Sequence, residues 1–142
     1  MIDQITVFLE NSEGRLAALC RCFADAGVDM YALTIADTTD YGLVRIVCSN
    51  PAGAIAALST RDYRAIRTPV AALEVPDVPG GLAKLMETLD ALNINVEYGY
   101  CFGYRDGKAI DVFKISDEEQ FAHAVKKLET AGFRSLSLED IA

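Results

Sequence analysis

The sequence predicts an α+β fold in which one β-α-β-β-α-β unit occurs twice. Two observations carry this. Sliding the chain against itself until Gly14 lies on Gly80 aligns its apolar positions without a gap: Leu19 meets Leu85, Phe23 meets Leu89, Val28 meets Ile94, Val44 meets Ile110 and Ile55 meets Phe121. Each half also alternates between a two-residue apolar period, which suits strands, and a three-to-four-residue period, which suits helices. The repeat is about 70 residues long, a size small domains reach. The halves are read as residues 1–67 and 68–142, joined at Arg67-Thr68-Pro69. So short a join predicts two halves lying side by side with no flexible linker.

The elements follow in order. Ile5 to Leu9 is a β-rich run, and Leu16, Leu19 and Phe23 mark one helical face. Gly27 ends that helix because it takes positive φ at little cost. Val28, Met30, Ala32 and Thr34 alternate as in a half-covered strand. Asp37-Thr38-Thr39-Asp40 supplies a turn, and Leu43 to Cys48 returns. Asn50-Pro51 reads as an N-cap with Pro at N1, starting a helix over Ile55 and Leu58. Tyr63 to Ile66 is a weaker closing strand. In the second half Val70 to Val75 is a strand, and Leu82, Leu85, Leu89 and Leu92 line a helix. Ile94, Val96, Tyr98, Tyr100 and Phe102 alternate before the tight turn Arg105-Asp106-Gly107-Lys108. Ala109 to Ile115 returns. Ser116 and Glu119 have capping-box spacing, ahead of Phe121, Val125 and Leu128. Gly132 ends that helix, and Phe133 to Leu138 closes the sheet.

Composition narrows the function. The 142 residues hold 13 Lys plus Arg and 21 Asp plus Glu, a net charge of −8. That balance argues against binding nucleic acid, which needs cations to neutralise phosphates, and against an anionic membrane surface. Apolar residues are 51% of the chain, enough for a packed core. No run approaches the roughly 18 apolar residues of a spanning helix. Met1-Ile2-Asp3-Gln4 does not read as a secretory leader, so the expected location is the cytoplasm. Cys20, Cys22, Cys48 and Cys101 form no Cys-x-x-Cys pair and read as small buried thiols. His123, the only histidine, sits mid-helix and reads as a surface residue. No metal, cofactor or catalytic residue is expected: no zinc ligand set, no phosphate-binding loop and no nucleophile beside a base is present.

Two strand-to-helix loops are the candidate site. The first holds Asn11, Ser12, Glu13, Gly14, Arg15 and Leu16, and the second Asp77, Val78, Pro79, Gly80, Gly81 and Leu82. Each places an Asx residue three before a glycine, and that glycine two before a leucine. Glycine lets backbone approach a guest closely. A helix start offers unpaired N–H groups that suit a carboxylate, and an Asx oxygen accepts from an ammonium. Together these fit a free amino acid. The same residues also suit plain helix caps and turns. Glu97, Tyr98 and Tyr100 are the strand candidates. The tyrosines share one face and either cover the sheet or wall a side-chain pocket; Glu97 would pair with a cationic ligand group or with Arg45. Arg15 either reaches a carboxylate or stays solvated, and Arg61, Arg64 and Arg67 read as a solvated edge.

The duplication, the element order and the Asx-x-x-Gly-x-Leu loops resemble a tandem pair of ACT domains over essentially the whole chain. Phe8-Leu9-Glu10-Asn11 with Gly14-Arg15-Leu16, Val78-Pro79-Gly80-Gly81-Leu82-Ala83-Lys84, and Glu97-Tyr98 before Tyr100 resemble the small stand-alone members described as amino-acid-binding. The resemblance implies two ferredoxin-like domains side by side, in a continuous antiparallel eight-stranded sheet with helices on one face. It also implies a non-catalytic regulatory role, with a free amino acid held at the seam between a loop of one domain and the second strand of the other, near Met30–Ile35 or Val96–Cys101. A homodimer is expected, because a sheet covered on one side leaves an apolar face to bury. The alternative is a ligand-independent protein–protein interaction module acting through a sheet edge or face.

Overall fold

The computed structural model describes residues 1–10, 12–37 and 41–142. Asn11 and the turn residues Thr38, Thr39 and Asp40 lie outside the described residues. The chain divides into two units, Asp3–Thr68 and Pro69–Ile141, the latter with Met1 and Ile2.

The first unit is built from β1 (Ile2–Glu10), α1 (Arg15–Asp25), β2 (Met30–Asp37), β3 (Tyr41–Cys48), α2 (Pro51–Thr60) and the opening residues of β4 (Arg64–Pro76). Its strands run in the order β2-β3-β1-β4. Register is antiparallel, with Ile5 opposite Ile46, and Thr34 opposite Arg45 opposite Thr6. Alternate residues of β1 (Ile5, Val7 and Leu9) form a core with Leu19, Cys22 and Phe23 of α1 and Ala54 and Leu58 of α2. Both helices therefore cover the same sheet face. The positions between them carry buried polar groups: Gln4 Nε2 donates to Thr6 Oγ1 at 3.0 Å, and Thr6 Oγ1 lies 2.9 Å from Thr68 Oγ1. Hydrogen bonding offsets the desolvation cost of such groups.

The second unit continues from β4 through α3 (Gly81–Ala91), β5 (Val96–Arg105), β6 (Lys108–Ile115), α4 (Glu118–Thr130) and the short α5 (Leu138–Ile141). Its strand order is β4-β6-β5. Ala71, Leu73 and Val75 of β4 and Phe113 and Ile115 of β6 pack with Leu85, Leu89, Phe121 and Leu128. Burying each of the larger of these side chains stabilises the fold by about 1.5–3 kcal/mol. Asp106 and Gly107 turn β5 into β6 with φ of 54° and 76°, the two positive values a type I′ hairpin needs.

Several expectations are corrected. The described residues form six strands, so the eight-stranded sheet is not what these residues build. Tyr63–Ile66 and Val70–Val75 are not two strands: Arg64 to Pro76 runs as one. Pro69 favours an extended predecessor, and that keeps Arg67-Thr68 in strand geometry. Phe133–Leu138 is not a strand either. It contributes one bridge, Leu73 to Ser135, plus bonds from Glu74 N to Arg134 O and Leu136 N to Ala72 O, then turns into α5. The expected core position Leu82 is 51% exposed, and the first buried leucine of α3 is Leu85. The cap of α4 is Asp117 rather than Ser116. Cys22 and Cys48 are buried, whereas Cys101 is exposed. Among the described residues no helix is long and apolar enough to cross a membrane.

Candidate functional site

The two candidate loops are near-copies in backbone detail. Ser12 N donates to Glu10 O at 2.9 Å, and Val78 N to Pro76 O at 2.9 Å. Arg15 N donates to Ser12 O at 3.4 Å, and Gly81 N to Val78 O at 3.0 Å. Ala18 N donates to Gly14 O, and Lys84 N to Gly80 O, both at 3.0 Å. Every bond recurs at the offset that lays Gly14 on Gly80. Each loop enters its helix through a left-handed glycine, Gly14 at φ 80° and Gly80 at φ 86°. That conformation costs an L-residue about 1 kcal/mol or more.

The helix starts differ in kind. Asn50 Oδ1 accepts from Gly53 N at 3.0 Å, and Asp117 Oδ1 accepts from Gln120 N at 2.9 Å, so α2 and α4 are capped by their own side chains. Helices α1 and α3 have no side-chain cap. Among the described residues the N–H groups of Leu16, Ala17, Leu82 and Ala83 have no hydrogen-bond partner. These are the orphan first-turn donors that suit an anion. Asp77 does not cap α3: its own N–H donates to Gly107 O at 3.0 Å, and the residue is exposed. Asn11 lies outside the described residues.

The remaining candidates scatter around these loops. Ser12, Glu13, Val78 and Pro79 are exposed. Leu16 packs against the first core. Gly81 is buried, and a Cβ there would stand 2.1 Å from Pro76 O, so this backbone approach requires glycine. Arg15 is half-buried with its guanidinium 5.0 Å from the Tyr63 ring centre. Glu97 on β5 pairs with Lys114 Nζ at 3.3 Å. Tyr98 and Tyr100 are half-buried opposite Lys114 and Val112. Arg45, the other partner considered for Glu97, lies on β3 between Thr6 and Thr34.

A cavity adjoins each loop. The first, about 350 Å3, is lined by Phe8, Glu10, Arg15, Asp62, Tyr63 and Arg64 among others. The second, about 310 Å3, is lined by Pro76, Val78, Gly80, Gly81, Lys84 and Phe133 among others. The sequence does not single out Phe8, Asp62, Tyr63, Lys84 or Phe133 as site residues, and Arg64 reads there as part of a solvated edge. Asp62 lies far along the chain from the loop it faces. Its signal was available only as a repeat, since the left-handed Asp62 at φ 60° is matched by Gly132 at φ 101°.

Comparison with known proteins places this geometry. A family model described as an ACT domain pair matches residues 1–134. The crystal structure of a Bacteroides thetaiotaomicron protein superposes with a TM-score of 0.88 at 30% identity, covering 99% of this chain and 94% of that one. The ligand-free regulatory subunit of aspartate kinase from Thermus thermophilus gives a TM-score of 0.66 at 18% identity over 92% of both chains. The corresponding subunit from Thermus flavus gives 0.63 at 20% identity over 91% of both. At such identities these two show a shared fold. No curated protein matches the chain in sequence.

Proposed function

The chain belongs to the ACT domain pair family, a class of regulatory ligand-binding modules, and from that premise we propose that it is a non-catalytic amino-acid sensor. ACT domains are assigned to residues 1–67 and 68–142. A free amino acid is held by the two glycine-hinged loops, at the seam between the domains that the resemblance implies. Its carboxylate takes first-turn amides of α1 or α3, and its ammonium takes the Asx oxygen of Asn11 or Asp77. Tyr98, Tyr100 and Glu97 are assigned to the ligand's side-chain end. The cytoplasm is the proposed location.

The observation that carries this reading is the duplication of uncapped helix starts. Two turns repeat three hydrogen bonds and a left-handed glycine at one fixed offset along the chain, and among the described residues both leave first-turn amides without a partner. A turn kept only to reverse the chain has no need to leave donors open twice.

The test is thermal unfolding with each of the L-amino acids. A ligand that binds only the folded state adds about 2.7 kcal/mol at a concentration 100 times its Kd, so at least one amino acid should raise Tm. Gly80→Val forces a β-branched residue into φ 86° and is expected to remove part or all of that rise. A full set of amino acids with no shift would overturn the proposal.

Association of two copies is part of the same proposal. Leu33 and Ile35 on β2 are 43% and 51% exposed, an unusual display of branched aliphatics on the outermost strand of the first unit. The same observation favours the second reading, a ligand-independent interaction module. Light scattering separates them. Association unaffected by amino acids, with no thermal shift, selects the module.

A further inference from the structure

The cavity of the first unit has a property its counterpart lacks. Four charged side chains line it, Glu10, Arg15, Asp62 and Arg64. Among the described residues none of the four forms an ion pair with another. The two cations are instead held by aromatic rings. Arg15 lies 5.0 Å from the Tyr63 centroid, and Arg64 lies 5.2 Å from that of Phe8. Stacking orients a guanidinium and leaves its in-plane N–H fork available for a planar acceptor. Arg15 Nε is buried and lacks a hydrogen-bond partner among the described residues.

The second unit supplies the comparison. The offset that lays Gly14 on Gly80 carries Phe8 to Glu74, Glu10 to Pro76 and Arg15 to Gly81. Past the second helix of each unit the offset is longer, fixed by matching bonds from Tyr63 N to Leu58 O and from Phe133 N to Leu128 O. It carries Asp62 to Gly132, Tyr63 to Phe133 and Arg64 to Arg134. The cation kept in both copies is quenched in the second, because Arg134 pairs with Glu74 and with Asp140, each at 3.2 Å. The other three charges are absent there. At the four equivalent positions the second unit thus keeps one charge, and that one is paired, whereas the first unit presents two cations and two anions to its cavity, against Lys84 in the other.

We propose that the cavity beside Arg15 and Arg64 is a separate ligand site, specific for a zwitterionic α-amino acid with an apolar or aromatic side chain. The two guanidiniums receive the carboxylate in its plane. Glu10 and Asp62 receive the ammonium. Phe8, Leu9 and Tyr63 cover the side chain. A dianion is disfavoured by the two carboxylates and by the chain's charge of −8. The site shares with the function proposed above its ligand class and Arg15; it does not use the open amides of α1 and α3.

The test is NMR of the full, isotope-labelled chain titrated with L-phenylalanine and with L-leucine. L-phenylalaninamide, which lacks the carboxylate, and 3-phenylpropionate, which lacks the ammonium, are the controls. The amides of Glu10, Asp62, Tyr63 and Arg64 should shift with the amino acids and with neither control. Arg64→Gln, at an exposed position, should weaken binding at least about tenfold, the range of one charge-assisted hydrogen bond, while the spectrum stays folded. Shifts confined to residues 12–14 and 78–82 would overturn this site and leave the sensor function standing. Shifts in the cavity alone would support the site and remove the loops from the function. No shift with either amino acid also overturns the site, while the full amino-acid set still decides the function by thermal unfolding.

Discussion

Gly81 is the residue on which the second loop turns. A Cβ on this residue would stand 2.1 Å from the carbonyl oxygen of Pro76, a backbone atom that no side-chain rotation can move aside. Gly81→Ala must therefore displace the loop or the start of α3. Overpacking of this kind costs about 1–3 kcal/mol, and denaturant unfolding should show a loss in that range. Gly80, with nothing within 4 Å of its Cβ position, resists substitution only through its φ of 86°. Gly80→Ala should thus cost less than Gly81→Ala, and the reverse order would refute the packing argument. A second residue sets a pH dependence. Burial pushes the Asp111 carboxyl up, and a hydrogen bond from Cys101 opposes this in part. The folded chain then holds that proton to higher pH than the unfolded chain does. Stability falls as pH rises from the ordinary carboxylate range, near pH 4, through the raised folded value. Asp111→Asn should raise Tm at neutral pH and lose its advantage below about pH 4. An equal effect at both pH values would place its origin in packing.

At the scale of elements, local chemistry told most where a residue had one available partner. Asn50-Pro51 starts α2 as its residue types require, with Asn50 Oδ1 on Gly53 N. The start of α4 was misplaced by one residue for a physical reason. Ser116 and Asp117 are both good caps, but Asn95 engages Ser116 twice: Asn95 Nδ2 donates to Ser116 Oγ at 2.9 Å and Ser116 N donates to Asn95 O at 3.1 Å. Asp117 is left to cap. No window around residue 116 contains Asn95, so that competition was invisible in sequence. The closing segment failed in the opposite direction. Ser137 N donates to Asp140 Oδ2 at 2.8 Å, and Asp140 N donates back to Ser137 Oγ at 3.3 Å. That reciprocal pair is a capping box with Asp in the third place, and it folds Leu138–Ile141 into α5 where alternation had suggested a strand. Strand alternation in Leu136 and Leu138 was real but shorter than the box that overrode it. The loops were legible because duplication displayed each twice. The charged cavity is not, because Arg15 and Arg64 are brought to it from distant parts of the chain and the equivalent positions of the second unit hold only one of its four charges, Arg134.

For the whole molecule, the dominant electrostatic fact is the net charge of −8. Each ion pair among the described residues has one partner about half exposed, such as Arg61 or Arg134, although Glu74 and Lys114 are more covered. Pairs of that kind contribute about 0–1 kcal/mol each. Self-repulsion of the uncompensated carboxylates acts over the entire surface and opposes the folded state. Screening weakens both effects, and the one with more charges behind it decides the sign. Raising ionic strength from about 0.01 M to about 0.15 M shortens the Debye length from about 30 to about 8 Å, which removes repulsion between distant carboxylates before it removes the close contacts. Tm at neutral pH should therefore rise with sodium chloride. Near pH 4.5, where the sequence carries no net charge, the repulsion is gone and only attractive pairs remain to be screened, so the same salt should leave Tm unchanged or lower it. A fall in Tm with salt at neutral pH would mean that the surface pairs outweigh the excess charge.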